Sequence, residues 1–161
     1  MVEESPVHER IEAFLKNWPG KRQSVCDCFR IFCQELASMA GVSLSFTARP
    51  GVSYSLRANH RGSSGREFFA IVDVIDDEPE NRWLSVCFYQ DMITDPEELG
   101  ECIPGGLAGG DGYCFDVNDD DTVLADYLIA RLHEAKAAEV GRCEEALSEK
   151  LSGESLSQVR A

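Results

Sequence analysis

Between Trp83 and Ala130 there is no lysine, arginine or histidine, although the stretch holds 11 acidic residues. That gap argues against a phosphate cradle there. Loops of the type G-x-x-x-x-G-K-[ST] hold phosphate through a lysine and through backbone N–H groups that open into a helix. The point matters for Gly105–Gly112, where five glycines fall in eight positions with Asp111 among them and strand-like Tyr113-Cys-Phe115 behind. Glycine's permissive backbone makes this run read as a flexible connector, with a mobile lid as the alternative. Long apolar runs are missing as well, and none approaches the ~20 residues that cross a bilayer. The start, Met-Val-Glu-Glu-Ser-Pro, lacks the basic and apolar regions of a signal peptide. The expectation is a cytoplasmic protein without membrane contact, its seven cysteines reduced.

Catalytic signatures are equally scarce. There is no G-x-S-x-G elbow, and only three histidines are present. His8 lies near one end and His133 beside Glu134 on a helix, where adjacent residues face different ways. His60 alone sits in a loop-like setting, with arginines for neighbours, and Cys102 is the one candidate exposed thiol. No catalytic residue is assigned. Cys26-Asp-Cys28 and Cys33 lie on a helical pattern rather than on paired turns, so they read as core packing, and Cys87 and Cys114 read the same way. Asp116-Val-Asn118-Asp-Asp120 opens like a calcium loop, but its sixth position is Asp121 instead of glycine and its twelfth Tyr127 instead of glutamate. The plainer reading is that one of these residues caps the last helix. Neither a metal nor a cofactor is expected.

What is present is charge, unevenly spread. The net charge is −14, which argues against general binding to nucleic acid. Yet no acid occurs from Leu36 to Arg66, where Arg49, Arg57, His60, Arg61 and Arg66 stand. Arginine forks suit carboxylates and phosphates. These five are the candidate ligand-binding residues, facing an acidic protein partner or an anionic small molecule. The competing reading pairs them with the chain's own acids.

Periodicity supplies the elements. Ser5-Pro6 starts a helix carrying Val7, Ile11, Phe14, Leu15 and Trp18, which Pro19-Gly20 ends. A second runs from about Lys21 to Gly41 on Val25, Phe29, Phe32, Cys33 and Leu36. The period then becomes two. Leu44 and Phe46, then Val52, Tyr54, Leu56 and Ala58, alternate with polar residues around an Arg49-Pro50-Gly51 turn, which predicts a hairpin with Arg57 on its wet face. Phe68–Ile75 and Trp83–Tyr89 read as central strands covered on both faces. Asp95-Pro-Glu-Glu-Leu suggests one helical turn, Tyr113–Val117 a fifth strand, and Val123, Leu124, Leu128 and Leu132 a long helix to about Leu147. The fold class expected is α+β: an antiparallel sheet of about five strands, two N-terminal helices and one long C-terminal helix. Residues 1–147 form one domain, and 148–161 a polar tail.

Arg66-Glu-Phe-Phe-Ala-Ile-Val-Asp-Val-Ile-Asp, Arg82-Trp-Leu-Ser-Val-Cys-Phe-Tyr and Gly112-Tyr-Cys-Phe-Asp-Val, followed by a closing helix, resemble small bacterial proteins of unknown function. The order over roughly residues 42–138 is similar to the MmcQ/YjbR-like and related DUF1801/DUF5655-type families. The resemblance implies no catalytic residue, and for some relatives a DNA-binding-like sheet, which the acidity opposes. The expected function is a non-catalytic binding or regulatory module. The alternative is an enzyme with a site beneath Gly105–Gly112 using His60 or Cys102.

Overall fold

A computed structural model describes residues 6–62, 65–118 and 122–159. The chain runs α1 (Val7–Lys16), α2 (Gln23–Ser38), β1 (Val42–Arg49), β2 (Ser53–His60), β3 (Ala70–Ile75), β4 (Trp83–Tyr89), a short 3₁₀ turn (Gln90–Met92), β5 (Glu101–Leu107), β6 (Gly110–Val117) and α3 (Thr122–Val159). The strands form one six-stranded antiparallel sheet in the order β1-β2-β3-β4-β6-β5. The α+β class and the helix arrangement are as expected. No helix among the described residues is long and apolar enough to cross a membrane.

Period-two alternation settles which side of the sheet is dry. Register aligns Phe46, Leu56, Val72, Val86 and Phe115 in one row across five strands, and all are buried. The helices lie on this face. Phe14 of α1 meets Phe46 and Tyr54, Phe29 of α2 meets Phe46, and Tyr127 of α3 meets Phe115. Helical spacing selects the other half of the core: Ile11 and Leu15; Val25, Phe29, Phe32 and Leu36; Leu128, Leu132 and Ala135. Burying each large side chain contributes about 1.5–3 kcal/mol. Cys26, Cys28 and Cys33 are buried on α2, in keeping with core packing.

Three expectations need correction. The first is the glycine segment, which is no loose connector. Residues 101–107 and 110–117 pair as a hairpin, and so supply the sixth strand. Here glycine's freedom serves shape. Gly109, at φ 82°, completes a two-residue turn with Ala108, and Gly105, at φ 66°, sits in the bulge between Ile103 and Leu107. Asp111 Oδ1 accepts the Gly105 N–H at 2.7 Å and braces that bulge.

The second correction concerns β3 and β4. They are central but covered on one face only, because Asp73, Ser85 and Cys87 alternate onto a side where no helix packs. Continuous apolar runs suggested two dry faces; Ile71 and Ile75 share this polar side, Ile71 buried among its neighbours and Ile75 half-buried. The third concerns Cys87 and Cys114. They stand opposite each other on β4 and β6, on the open side, and are joined by a disulfide rather than reduced in the core. Reducing compartments keep such bonds open.

Elsewhere the boundaries move. Asp95–Glu98 is a single turn closed by the Glu98 N–H on the Asp95 carbonyl, not a helical one. Val52, expected to start the β2 alternation, is exposed in the turn before it. The last helix continues to Val159, past Leu147 and through the segment expected as a polar tail. Ser5, and the aspartates 119–121 read as a helix cap or calcium-loop ligands, lie outside the described residues.

Candidate functional site

The uncovered sheet face is a polar surface built by register. One row reads Thr47, Ser55, Asp73, Ser85, Asp116, and the next Ser45, Arg57, Ile71, Cys87, Cys114, Glu101. Arg49, one pair further along β1, sits at the hairpin end. Cations therefore lie on the β1–β2 side and acids on the β6–β5 side. Arg57 is exposed, its guanidinium 5.3 Å from the Phe68 ring centroid. Neither Arg49 nor Arg57 forms an ion pair among the described residues. Both fields reach Asp73. Burial raises that carboxyl above its usual range, while a hydrogen bond from Ser55 and the charges of Arg57 and Arg49 pull it back. Asp73 Oδ1 is buried without a hydrogen-bond partner.

The five sequence candidates do not form one patch. Arg49 and Arg57 share the open face, and Arg61 is exposed just past β2, its N–H on the Gly41 carbonyl at 2.9 Å. Arg66 is structural. Its guanidinium lies 3.8 Å over the Tyr89 ring and forks onto Asp91 at 2.7 and 3.0 Å, with only 11% of the side chain exposed. The bond from Arg66 holds the Asp91 carboxyl below its usual range. Tyr89 and Arg66 also fill the ground under the glycine hairpin. A Cβ on Gly110 would lie 3.0 Å from the ring and 3.3 Å from the guanidinium, and Tyr89 Oη donates to the Ala108 carbonyl at 2.9 Å.

His60 packs against Gly41 and Gly62, and the Gly62 N–H donates to its Nδ1 at 3.2 Å. With Cys143 of α3 it lines a cleft of about 540 Å³. Histidine beside cysteine is the arrangement of a nucleophilic site, and sequence spacing gave no sign of it because Cys143 comes from α3. The electrostatics work against activation. Burial, then Glu139, pushes the Cys143 thiol up, and the thiol donates to Glu139 Oε1 at 3.6 Å. Reactive thiols need the opposite shift. Cys102 is exposed on β5, donates to Gln90 Oε1 at 3.4 Å, and does not line this cleft.

A second polar cluster, around Asp95, is a structural knot. Its carboxylate accepts the hydroxyls of Tyr113 and Tyr127 and the N–H groups of Leu99 and Gly100. Burial pushes this acid up, but the four donors prevail and hold it at about 2. The bond to Asp95 correspondingly lifts Tyr113 to about 12. Among the described residues no group of three or more histidine, cysteine or acidic side chains is placed to hold a metal ion. No protein-family model matches the chain, and no curated protein or solved structure matches it significantly.

Proposed function

We propose that this protein is a non-catalytic binding module that docks an acidic segment of a partner protein on the β1–β2 side of its open sheet face. One observation carries the reading: Arg49 and Arg57 stand on an uncovered sheet surface without an ion pair among the described residues, beside a row of small hydroxyl side chains. An exposed guanidinium fork holds a carboxylate through two parallel N–H···O bonds, and Ser45 and Thr47 add short donors beside it. The His60–Cys143 cleft favours a second, enzymatic reading, but its thiol is pushed away from the thiolate that such chemistry requires.

The test is titration with a glutamate-rich peptide, beside a lysine-rich peptide of equal length. Saturable binding of the first that weakens about tenfold in Arg49→Ala/Arg57→Ala, and weakens again with salt, supports the proposal. Equal binding of both peptides, or no change in the double variant, overturns it.

A further inference from the structure

On the other side of the β1–β2 hairpin, a cleft of about 370 Å³ opens between α1 and the sheet. That is within the ~300–1,000 Å³ usual for small-molecule sites. Its walls are the rings of Phe14, Phe46 and Tyr54. Phe14 packs 4.3 Å from Tyr54 and 5.6 Å from Phe46 between centroids. Its polar groups are Arg10, Asn17 and Arg82.

Arg82 is the unusual member. Only 8% of its side chain is exposed, and Nε donates to Asp76 Oδ1 at 2.7 Å, which neutralises it. The guanidinium is stacked among Phe14, Trp18 and Tyr54 at 5.0, 4.8 and 5.3 Å. Its Nη1, however, is buried with no hydrogen-bond partner. Native structures rarely leave such a donor unsatisfied without a role for it. Arg10 reaches in from α1, spends Nη2 on the Phe46 carbonyl at 2.5 Å, and has no acid paired with it among the described residues. The cleft thus combines aromatic walls, one orphaned donor and one uncompensated positive charge.

We propose that this cleft binds a small aromatic carboxylate, its ring against Phe14, Phe46 and Tyr54 and its carboxylate bridging Arg10 and the Nη1 of Arg82. A planar carboxylate matches planar guanidinium donors, and the ring walls favour an aromatic body over a hydrated tetrahedral anion. Asp76 keeps Arg82 fixed, and because Nη1 is buried the ligand reaches it by displacing the rings stacked over it. This site uses none of the residues assigned to the acidic partner.

The experiment uses benzoate as probe, with benzamide and inorganic phosphate alongside. Binding is followed by calorimetry and by NMR shifts of the intact chain. Arg10→Gln is the main variant, since Arg82→Gln strands Asp76 and is prone to unfold. The expected result is saturable benzoate binding with shifts at Phe14, Phe46 and Tyr54. Benzamide and phosphate bind at least about tenfold more weakly, and Arg10→Gln weakens benzoate by about tenfold while the protein stays folded. Arg57→Ala leaves benzoate binding intact. Failure to saturate, equal binding of benzamide or phosphate, shifts confined to the open sheet face, or an unaffected Arg10→Gln protein each overturns the proposal.

Discussion

Replacing Asp95 by asparagine removes an anion on which three parts of the fold converge. Tyr113 comes from β6, Tyr127 from α3, and Leu99 and Gly100 from the connection into β5. The carboxylate offers lone pairs to all four donors, whereas an amide has one oxygen and brings N–H groups that oppose the backbone donors. The folded protein holds Asp95 at about 2, against roughly 3.9 for a free aspartate. Since one unit corresponds to about 1.4 kcal/mol, the full shift would be worth about 2.6 kcal/mol. The site is only half-buried, so solvent screening reduces that to ~1–2 kcal/mol. The folded state holds this proton less tightly than the unfolded chain does. The stabilisation is therefore complete above about pH 4 and disappears as pH falls towards 2. Urea denaturation of the wild type and Asp95→Asn at pH 6 and pH 2 measures it. The gap between the two proteins should shrink by ~1–2 kcal/mol at the lower pH. An equal gap at both would mean that the carboxylate's charge does not hold the knot, and that only shape is lost.

Arg57→Ala and Arg61→Ala should each change stability by less than about 1 kcal/mol in chemical denaturation, because both residues are exposed. Arg66→Ala should cost more, ~1–3 kcal/mol, through loss of the Tyr89 stack and the Asp91 fork; equal losses in all three would undo the division between docking and structural arginines. Gly100→Ala places a Cβ 2.6 Å from the Tyr113 ring, 2.8 Å from the Phe115 ring and 3.0 Å from a backbone oxygen, and should lower stability by ~1–3 kcal/mol, read as a drop in denaturation midpoint. Amides of the Glu101–Ile103 and Gly112–Cys114 ladder should exchange far more slowly than those of the Ala108-Gly109 turn, and uniform fast exchange would restore the flexible connector. A thiol reagent applied to native protein should label Cys102 first and leave Cys87 and Cys114 untouched until a reductant is added.

Most of the scaffold was legible because its elements carry clean periods. The α2 stripe from Val25 to Leu36 and the alternation from Tyr54 to Ala58 each point one way, and the structure buries those residues, Tyr54 in part. Of the glycine hairpin only the second strand, Tyr113–Val117, was legible. The first, Glu101–Leu107, carries Pro104 and two adjacent glycines without alternation, and the pairing of Ile103 with Gly112 is visible only in space. The disulfide was hidden for a related reason: Cys87 and Cys114 are 27 residues apart, and only the insertion of β6 beside β4 makes them neighbours. The basic segment was found as a set, but sequence could not divide it. Arg66 and Arg57 look alike until Asp91 and Tyr89 appear beside one of them. The pairing of His60 with Cys143 and the clustering of Arg10 with Arg82 likewise depend on helices folding back over the sheet.

Strand order turns the chain's uneven charge into geometry. β1 and β2 occupy one edge of the sheet, and β6 and β5, from the cation-free stretch, the other. With neighbouring strands about 4.8 Å apart, Arg57 and Glu101 stand some 19 Å from each other along a single row. The open face therefore carries a charge gradient from edge to edge, within a chain of net charge −14. Near a positively charged surface that gradient favours one orientation of this face. The β5 edge arrives first, and the β1–β2 hairpin is left facing the buffer, free to meet whatever comes next.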